Sequence, residues 1–248
     1  MGDASTSEVK DVRPLVYVTG FGPFPSHDVN ASQLAVEGLM NTDLESELGV
    51  KLVTEIVKVE YDYVQKIVPQ RWKDLQPKLT VHVGVSGLAE TLTLEQLAHN
   101  TGYNRQDNCG CFPHKGLCVP DGDEVIQSGI RMDLISSAIN KNNKLKLPCA
   151  KSTDPGRFLC DFIYYLSLKQ DRSRSAFIHV PTLRKFLAQD ISAAIAAAIK
   201  EMYKQIVQKD HQGGEEKLNR VSPTINKWDE NAARENEVLP DEKISVAV

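Results

Sequence analysis

The stretch from Lys146 to Pro181, KLPCAKSTDPGRFLCDFIYYLSLKQDRSRSAFIHVP, decides how the chain folds. Lys146–Ala150 reads as a short apolar strand. Asp154 followed by Pro155 is a helix-start signal, because an aspartate caps the first free amides and proline suits the first helical position. A helix is therefore predicted from Pro155 to Leu168. Ser175–Val180 is a second apolar strand, stopped by Pro181. Strand, helix and strand make one β-α-β unit, and its crossover makes the two strands parallel. The helix N-terminus and the C-terminal end of the second strand then lie at one edge of a sheet. That edge holds Cys160 and His179.

On either side of this unit the alternation continues. Leu15–Thr19, Lys51–Val59, Leu79–Val83 and Thr91–Leu94 read as strands. Asn30–Met40, Tyr61–Leu75 and Arg131–Asn140 read as helices, with Pro69 a predicted kink or break in the second. Asp190 can cap a last helix with apolar positions at Ile191, Ile195, Ile199, Met202 and Ile206. The expected fold is α/β, a three-layer α/β/α sandwich whose mostly parallel central sheet is flanked by helices.

Composition narrows the function. The chain has 248 residues, 41% hydrophobic and 25% charged, as a globular protein does. Twenty-nine basic against 33 acidic residues leave a net charge of −4, without the basic footprint of a nucleic-acid binder. The longest nearly apolar run, Ile191–Ile199, is nine residues, against about 18 for a membrane span. Met1–Glu8 is polar and acidic and does not read as a secretory signal. Met1-Gly2 with Thr6 formally matches a myristoylation pattern, but Asp3 and the lack of a basic cluster argue against it. Five cysteines with no signal peptide read as free thiols in a reducing compartment, the cytosol. Residues 209–248 hold nine acids and six bases, net −3, with Trp228 their one large aromatic. The expected organisation is a flexible segment over 1–12, one catalytic domain over 13–208 and a disordered tail over 209–248.

Four motifs bear on chemistry. Gly20-Phe21-Gly22-Pro23-Phe24 follows a strand but has Pro25 where a dinucleotide fingerprint has its third glycine. It reads as a tight turn or as a rigid loop presenting two phenylalanines to a ligand at the sheet edge. Gly84-Val85-Ser86-Gly87-Leu88 misses the serine nucleophile elbow at its last position. Cys109, Cys111, His114 and Cys118 offer four metal-ligand side chains within ten residues, with a Cys-x-Cys spacing tighter than usual, and read first as solvated thiols.

Cys160 is the fourth. Thiols near a helix N-terminus gain from the backbone dipoles, but the effect fades after one turn. In a helix that begins at Pro155, Cys160 is too far in and needs a base. His179 at the same sheet edge can supply it, as nucleophilic thiol catalysis requires. A third group must orient the imidazole. Glu95, Glu60 and Asp154 all compete for that role.

The same residues carry a resemblance. The chain resembles the pyroglutamyl-peptidase I family of cysteine peptidases, in its animal-type form, over about Pro14–Gln208. The matching segments are Val18–Phe24 with Val29–Ser32, Val81–Gly87, Leu92–Glu95, His99-Asn100 with Gly102-Tyr103, Asp107–Cys109, Asp154 with Gly156–Phe162, and Phe177–Pro181. Gln33, Lys58 and Pro155 depart from the usual residues. The resemblance implies a Cys160–His179–Glu95 triad and so selects Glu95. It implies that the first loop, here Phe21 and Phe24, helps form the pyroglutamate pocket. Bacterial members have an arginine ten residues after the glutamate, where Arg105 stands, a position that the animal form does not clearly keep. The implied activity is hydrolysis after an N-terminal pyroglutamate in small peptides through a thioacyl-enzyme, with no metal or cofactor. A non-catalytic paralogue that binds blocked N-termini or a protein partner, and a metal or redox protein using Cys109–Cys118, are the other readings.

Overall fold

The computed structural model describes residues 11–25 and 29–221, with side chains as far as residue 212. Among the described residues there are eight strands: β1 (Leu15–Phe21), β2 (Lys51–Val57), β3 (Leu79–Val85), β4 (Leu92–Glu95), β5 (Leu97–His99), β6 (Val125–Gln127), β7 (Cys149–Ser152) and β8 (Ser175–Val180). Six form the central sheet in the order β2-β1-β3-β8-β4-β7, and β5 and β6 form a separate antiparallel ribbon. The helices are α1 (Ala31–Glu37), α2 (Leu44–Leu48), α3 (Tyr61–Leu75), α4 (Met132–Asn140), α5 (Leu159–Asp171) and α6 (Ala188–Val221). The chain divides into two units, 1–210 and 211–248, and the sheet and its cores belong to the first. Most of the tail expected from Lys209, with Trp228, lies outside the described residues, as do Met1–Thr6. Among the described residues no helix is long and apolar enough to cross a membrane.

Strand alternation builds two cores. On one face Val16 and Val18 of β1, Leu79, Val81 and Val83 of β3, Leu92 and Leu94 of β4, and Ala176, Ile178 and Val180 of β8 pack with α1, α4 and α6. On the other face Phe21 of β1 and Phe177 of β8 pack with α3 and α5. This is a three-layer α/β sandwich, and its sheet is mostly parallel. Helix α5 is buried on nearly every side, because it lies between the sheet, α3 and the β5–β6 ribbon.

Four local expectations are corrected. Strand β7 begins at Cys149, and β4 stands between it and β8. Because β4 is parallel to β7 and antiparallel to β8, β7 and β8 run in opposite directions rather than parallel. The cause is the connection: Thr153–Phe158, six residues, can span about 20 Å, longer than the four-residue β7. Helix α5 therefore need not start where β7 ends. The second correction is to β1, which runs on through Gly20 and Phe21. Third, Pro69 neither breaks nor ends α3. The carbonyl it leaves without a helical donor belongs to the exposed Gln65, on the solvent side of the helix, where the loss costs least.

The fourth is the start of α5, at Leu159 rather than Pro155. Asp154 spends its carboxylate on a turn, accepting the Gly156 N–H at 3.1 Å and Arg157 Nη1 at 2.6 Å. Gly156 has φ +76°, a left-handed conformation that no helix continues. Phe158 is extended, at φ −142°, and the first helical bond is Phe162 N–H to Phe158 O.

Candidate active site

Period-two alternation sends Thr93 and Glu95 of β4, His82 and Gly84 of β3, and Phe177 and His179 of β8 to the α5 face, opposite the apolar residues of the first core. Register brings them together: Thr93 lies beside His179 and Glu95 beside Phe177, with Gly84 on the other flank of His179. Above them stands the first turn of α5. A Cβ on Gly84 would lie 2.8 Å from Cys160 Sγ, so this glycine gives the thiol room to approach the sheet.

Cys160 is the second residue of α5, inside the first turn. Counted from Pro155 it would lie beyond the reach of the helix dipole, and the later helix start corrects that expectation by placing Cys160 in the first turn, where the backbone amides have no partner within the helix. His179 Nδ1 is 2.8 Å from Glu95 Oε1, and His179 and Cys160 line the same cavity. Nδ1–H therefore donates to the carboxylate, which leaves Nε2 as the basic nitrogen. Glu95 is 1% exposed, and its Oε2 is buried with no hydrogen-bond partner among the described residues. A buried carboxylate oxygen without a partner is costly; among the described residues the carboxylate's one side-chain hydrogen bond is to His179. Burial opposes charge on His179, yet the interactions with Cys160 and then with Glu95 outweigh it and push the imidazole up to about 10. A thiol, an imidazole and a buried carboxylate thus lie together, the set of groups that nucleophilic thiol catalysis uses.

The rival orienting groups lie elsewhere. Asp154 is held by Arg157, and Glu60 precedes α3 with Lys58 at 4.0 Å.

A cavity of about 630 Å³ opens onto the triad, lined among others by Phe21, Phe24, Arg105, Phe158, Cys160 and His179. Phe21 ends β1, and Arg105 lies over the Phe158 ring at 4.5 Å. All the substrate-pocket residues named from the resemblance thus reach this cavity. Asn30 holds the wall: its Nδ2 donates to Gly22 O at 2.9 Å, and its Oδ1 accepts Ser32 N–H at 3.0 Å. Ser32 Oγ in turn accepts the Phe21 N–H at 3.1 Å. Sequence reasoning gave Asn30 and Ser32 no role in the site, although an asparagine before a helical run is an N-cap signal.

The Cys109–Cys118 cluster does not assemble. Cys109 and Cys111 are exposed, while Cys118 is buried and points at Phe162 O. Asp107 accepts both the Cys109 and Cys111 N–H groups at 2.9 Å, which organises the loop around a carboxylate. Among the described residues no three His, Cys, Asp or Glu side chains converge as a metal set.

Comparison with known proteins bears on the same region. The family model described as pyroglutamyl peptidase matches residues 15–209. The chain is 46% identical to pyroglutamyl-peptidase 1 of Mus musculus, over 77% of this chain and 90% of the mouse protein. It is 44% identical to pyroglutamyl-peptidase 1 of Homo sapiens, over 80% of this chain and 94% of the human protein. The fold matches the crystal structure of Bacillus amyloliquefaciens pyroglutamyl peptidase I with a TM-score of 0.67 at 25% identity, covering 77% of this chain and 98% of the bacterial one.

Proposed function

The chain belongs to the pyroglutamyl peptidase family, and from that premise we propose that Cys160, His179 and Glu95 carry its reaction. The protein is a cysteine peptidase that removes an N-terminal pyroglutamate. Its substrates on this reading are small peptides with a blocked, uncharged N-terminus.

His179 takes the proton of Cys160, and Glu95 fixes the tautomer and balances the imidazolium. The thiolate attacks the carbonyl that joins pyroglutamate to the next residue. Amides of the first turn of α5 hold the oxyanion. The C–N bond breaks as His179 returns its proton to the leaving amine. Water, deprotonated by His179, then hydrolyses the thioester and releases pyroglutamate. Every step uses groups of the chain and one water. The lactam suits a narrow apolar slot, with Phe21 and Phe24 as its walls and Phe158 and Arg105 nearby. A thiol nucleophile also suits a reducing compartment such as the cytosol.

The observation that carries this reading is the meeting of the three groups: His179 lies 2.8 Å from the buried Glu95, and Cys160 stands over Gly84, the strand neighbour of His179, in the same cavity. The test is release of a fluorophore from a pyroglutamyl-linked substrate. Cys160→Ala is expected to abolish it while leaving the far-ultraviolet circular dichroism unchanged. Turnover by the folded variant would remove the thiol mechanism.

A further inference from the structure

Asp161 follows Cys160 directly, in the first turn of α5, with its side chain fully buried. The triad chemistry does not use it. Burying a carboxylate is costly unless it is well paired, so its partners indicate what it is kept for. Oδ1 accepts the His99 backbone N–H at 2.9 Å. Oδ2 faces His99 Nδ1 at 3.2 Å and Arg157 Nη1 at 3.3 Å. Arg157 also holds Asp154, closing the turn that lines the cavity. His99 ends β5, which begins two residues after Glu95, and the His99 carbonyl accepts from Tyr103 Oη. Three residues along α5, Tyr164 Oη donates to Glu95 O at 2.9 Å.

One carboxylate therefore joins three parts: the turn that carries the nucleophile, the strand run that carries Glu95, and the turn that walls the cavity. The remaining titratable groups around it are Glu95, Asp154, Tyr103, Tyr164 and Cys118. Burial outweighs the His99 N–H and Arg157 and raises the Asp161 carboxyl to about 7. Stability alone is a poor account of such a group, since buried ion pairs are often replaceable by apolar side chains without loss. Register between two elements is what apolar contacts would not supply.

We propose that Asp161 is a positioning residue: through His99 and Arg157 it locks the first turn of α5 against the strand run that bears Glu95, and so holds Cys160 at His179. This rests on the Cys160–His179–Glu95 reading.

The test compares Asp161→Asn, Asp161→Ala and Cys160→Ala in the full chain. Asp161→Asn keeps the shape and one acceptor for the His99 N–H, but loses the charge that faces Arg157 and His99 Nδ1. It is expected to lower kcat about tenfold, with a smaller change in KM. Asp161→Ala removes all three bonds and is expected to lower kcat about 10²-fold, the scale of a misplaced reacting group. In both, the alkaline limb of kcat/KM against pH is expected to fall below that of the unaltered protein, because His179 loses the close thiolate that raises it. A merely structural role would lower melting temperature and leave that limb in place. If Asp161→Ala does not fold, Asp161→Asn decides alone. Unaltered kcat and an unmoved limb in folded Asp161→Asn overturn the proposal. Activity surviving in Cys160→Ala overturns the triad reading instead, so the two failures are separable.

Discussion

His179 shows how little of a site one residue contains. Its sequence neighbourhood, an apolar strand before a proline, is equally that of a structural histidine. Its chemistry comes from what it faces: Glu95 at 2.8 Å and the Cys160 thiol. Glu95, Glu60 and Asp154 are equivalent as carboxylates; the family resemblance singles out Glu95, and register against β8 brings it beside His179. Glu95→Gln keeps an oxygen for Nδ1–H but removes the charge. It is expected to lower kcat roughly 10²- to 10⁴-fold, as loss of the orienting carboxylate does in such triads. Because Glu95 helps to raise His179 to about 10, the alkaline limb of kcat/KM is also expected to move to lower pH. A pH series with the pyroglutamyl fluorophore checks both; an unmoved limb would mean that Glu95 does not tune the imidazole.

At the scale of the element, the start of α5 matters most. The Asp-Pro pair is a sound capping signal, and the helix nonetheless begins at Leu159. A side-chain cap competes with an Asx turn for the same carboxylate, and Gly156 at φ +76° resolves the competition in favour of the turn. The later start brings Cys160 into the first turn and gives it the amides that an oxyanion needs. Gly156→Ala forces a side chain into the left-handed region, at a cost of about 1–2 kcal/mol. The expected result is a matching loss in denaturant unfolding, and a smaller loss for Gly156→Asn, which tolerates that region better. Equal stability of all three proteins would show that the turn carries no such constraint.

Across the whole molecule, one face of the sheet is apolar and the other holds a buried polar layer. His82 is a buried titratable member of it, with Nδ1 2.7 Å from Thr19 Oγ1 and Nε2 2.7 Å from Ser167 Oγ, which also accepts from Trp72 Nε1 at 2.8 Å. Burial lowers its pKa from 6.5 to about 3. Between those values the unfolded chain binds a proton that the folded chain refuses, so this residue makes stability fall as pH falls. Asp161, raised from 3.8 to about 7, acts in the opposite sense: its contribution is present at low pH and lost as pH rises through 7. The two overlap, so the measurement is a difference. The stability of the unaltered protein minus that of His82→Gln is expected to drop by about 1.4 kcal/mol per pH unit as pH falls through that window. A constant difference would show that His82 does not stay neutral.

Period-two and helical patterns, turn residues and capping pairs are local properties of the chain. They determined by themselves that this is an α/β protein, where its longer strands and helices lie to within a few residues, and that Cys160 and His179 belong at one edge. The short β5–β6 ribbon and α2 left no usable pattern, being too brief to show a period. Strand direction was misjudged because the crossover rule presumes that the strands flanking a helix pair in the same sense. The Thr153–Phe158 connection instead lets β7 run against β8, with β4 between them. Cys160 and His179 still meet, because the short turn after α5 leads straight into β8 and starts the helix at the C-terminal end of that strand. Local patterns left Glu95, Glu60 and Asp154 open and the family resemblance chose Glu95; the tertiary structure brings Glu95 to the imidazole, sets where Cys160 sits in its helix and shows what clasps Asp161. Each of these is a contact between residues 60 or more apart in sequence or the outcome of a competition between local hydrogen bonds, and neither is written in the pattern of neighbouring residues.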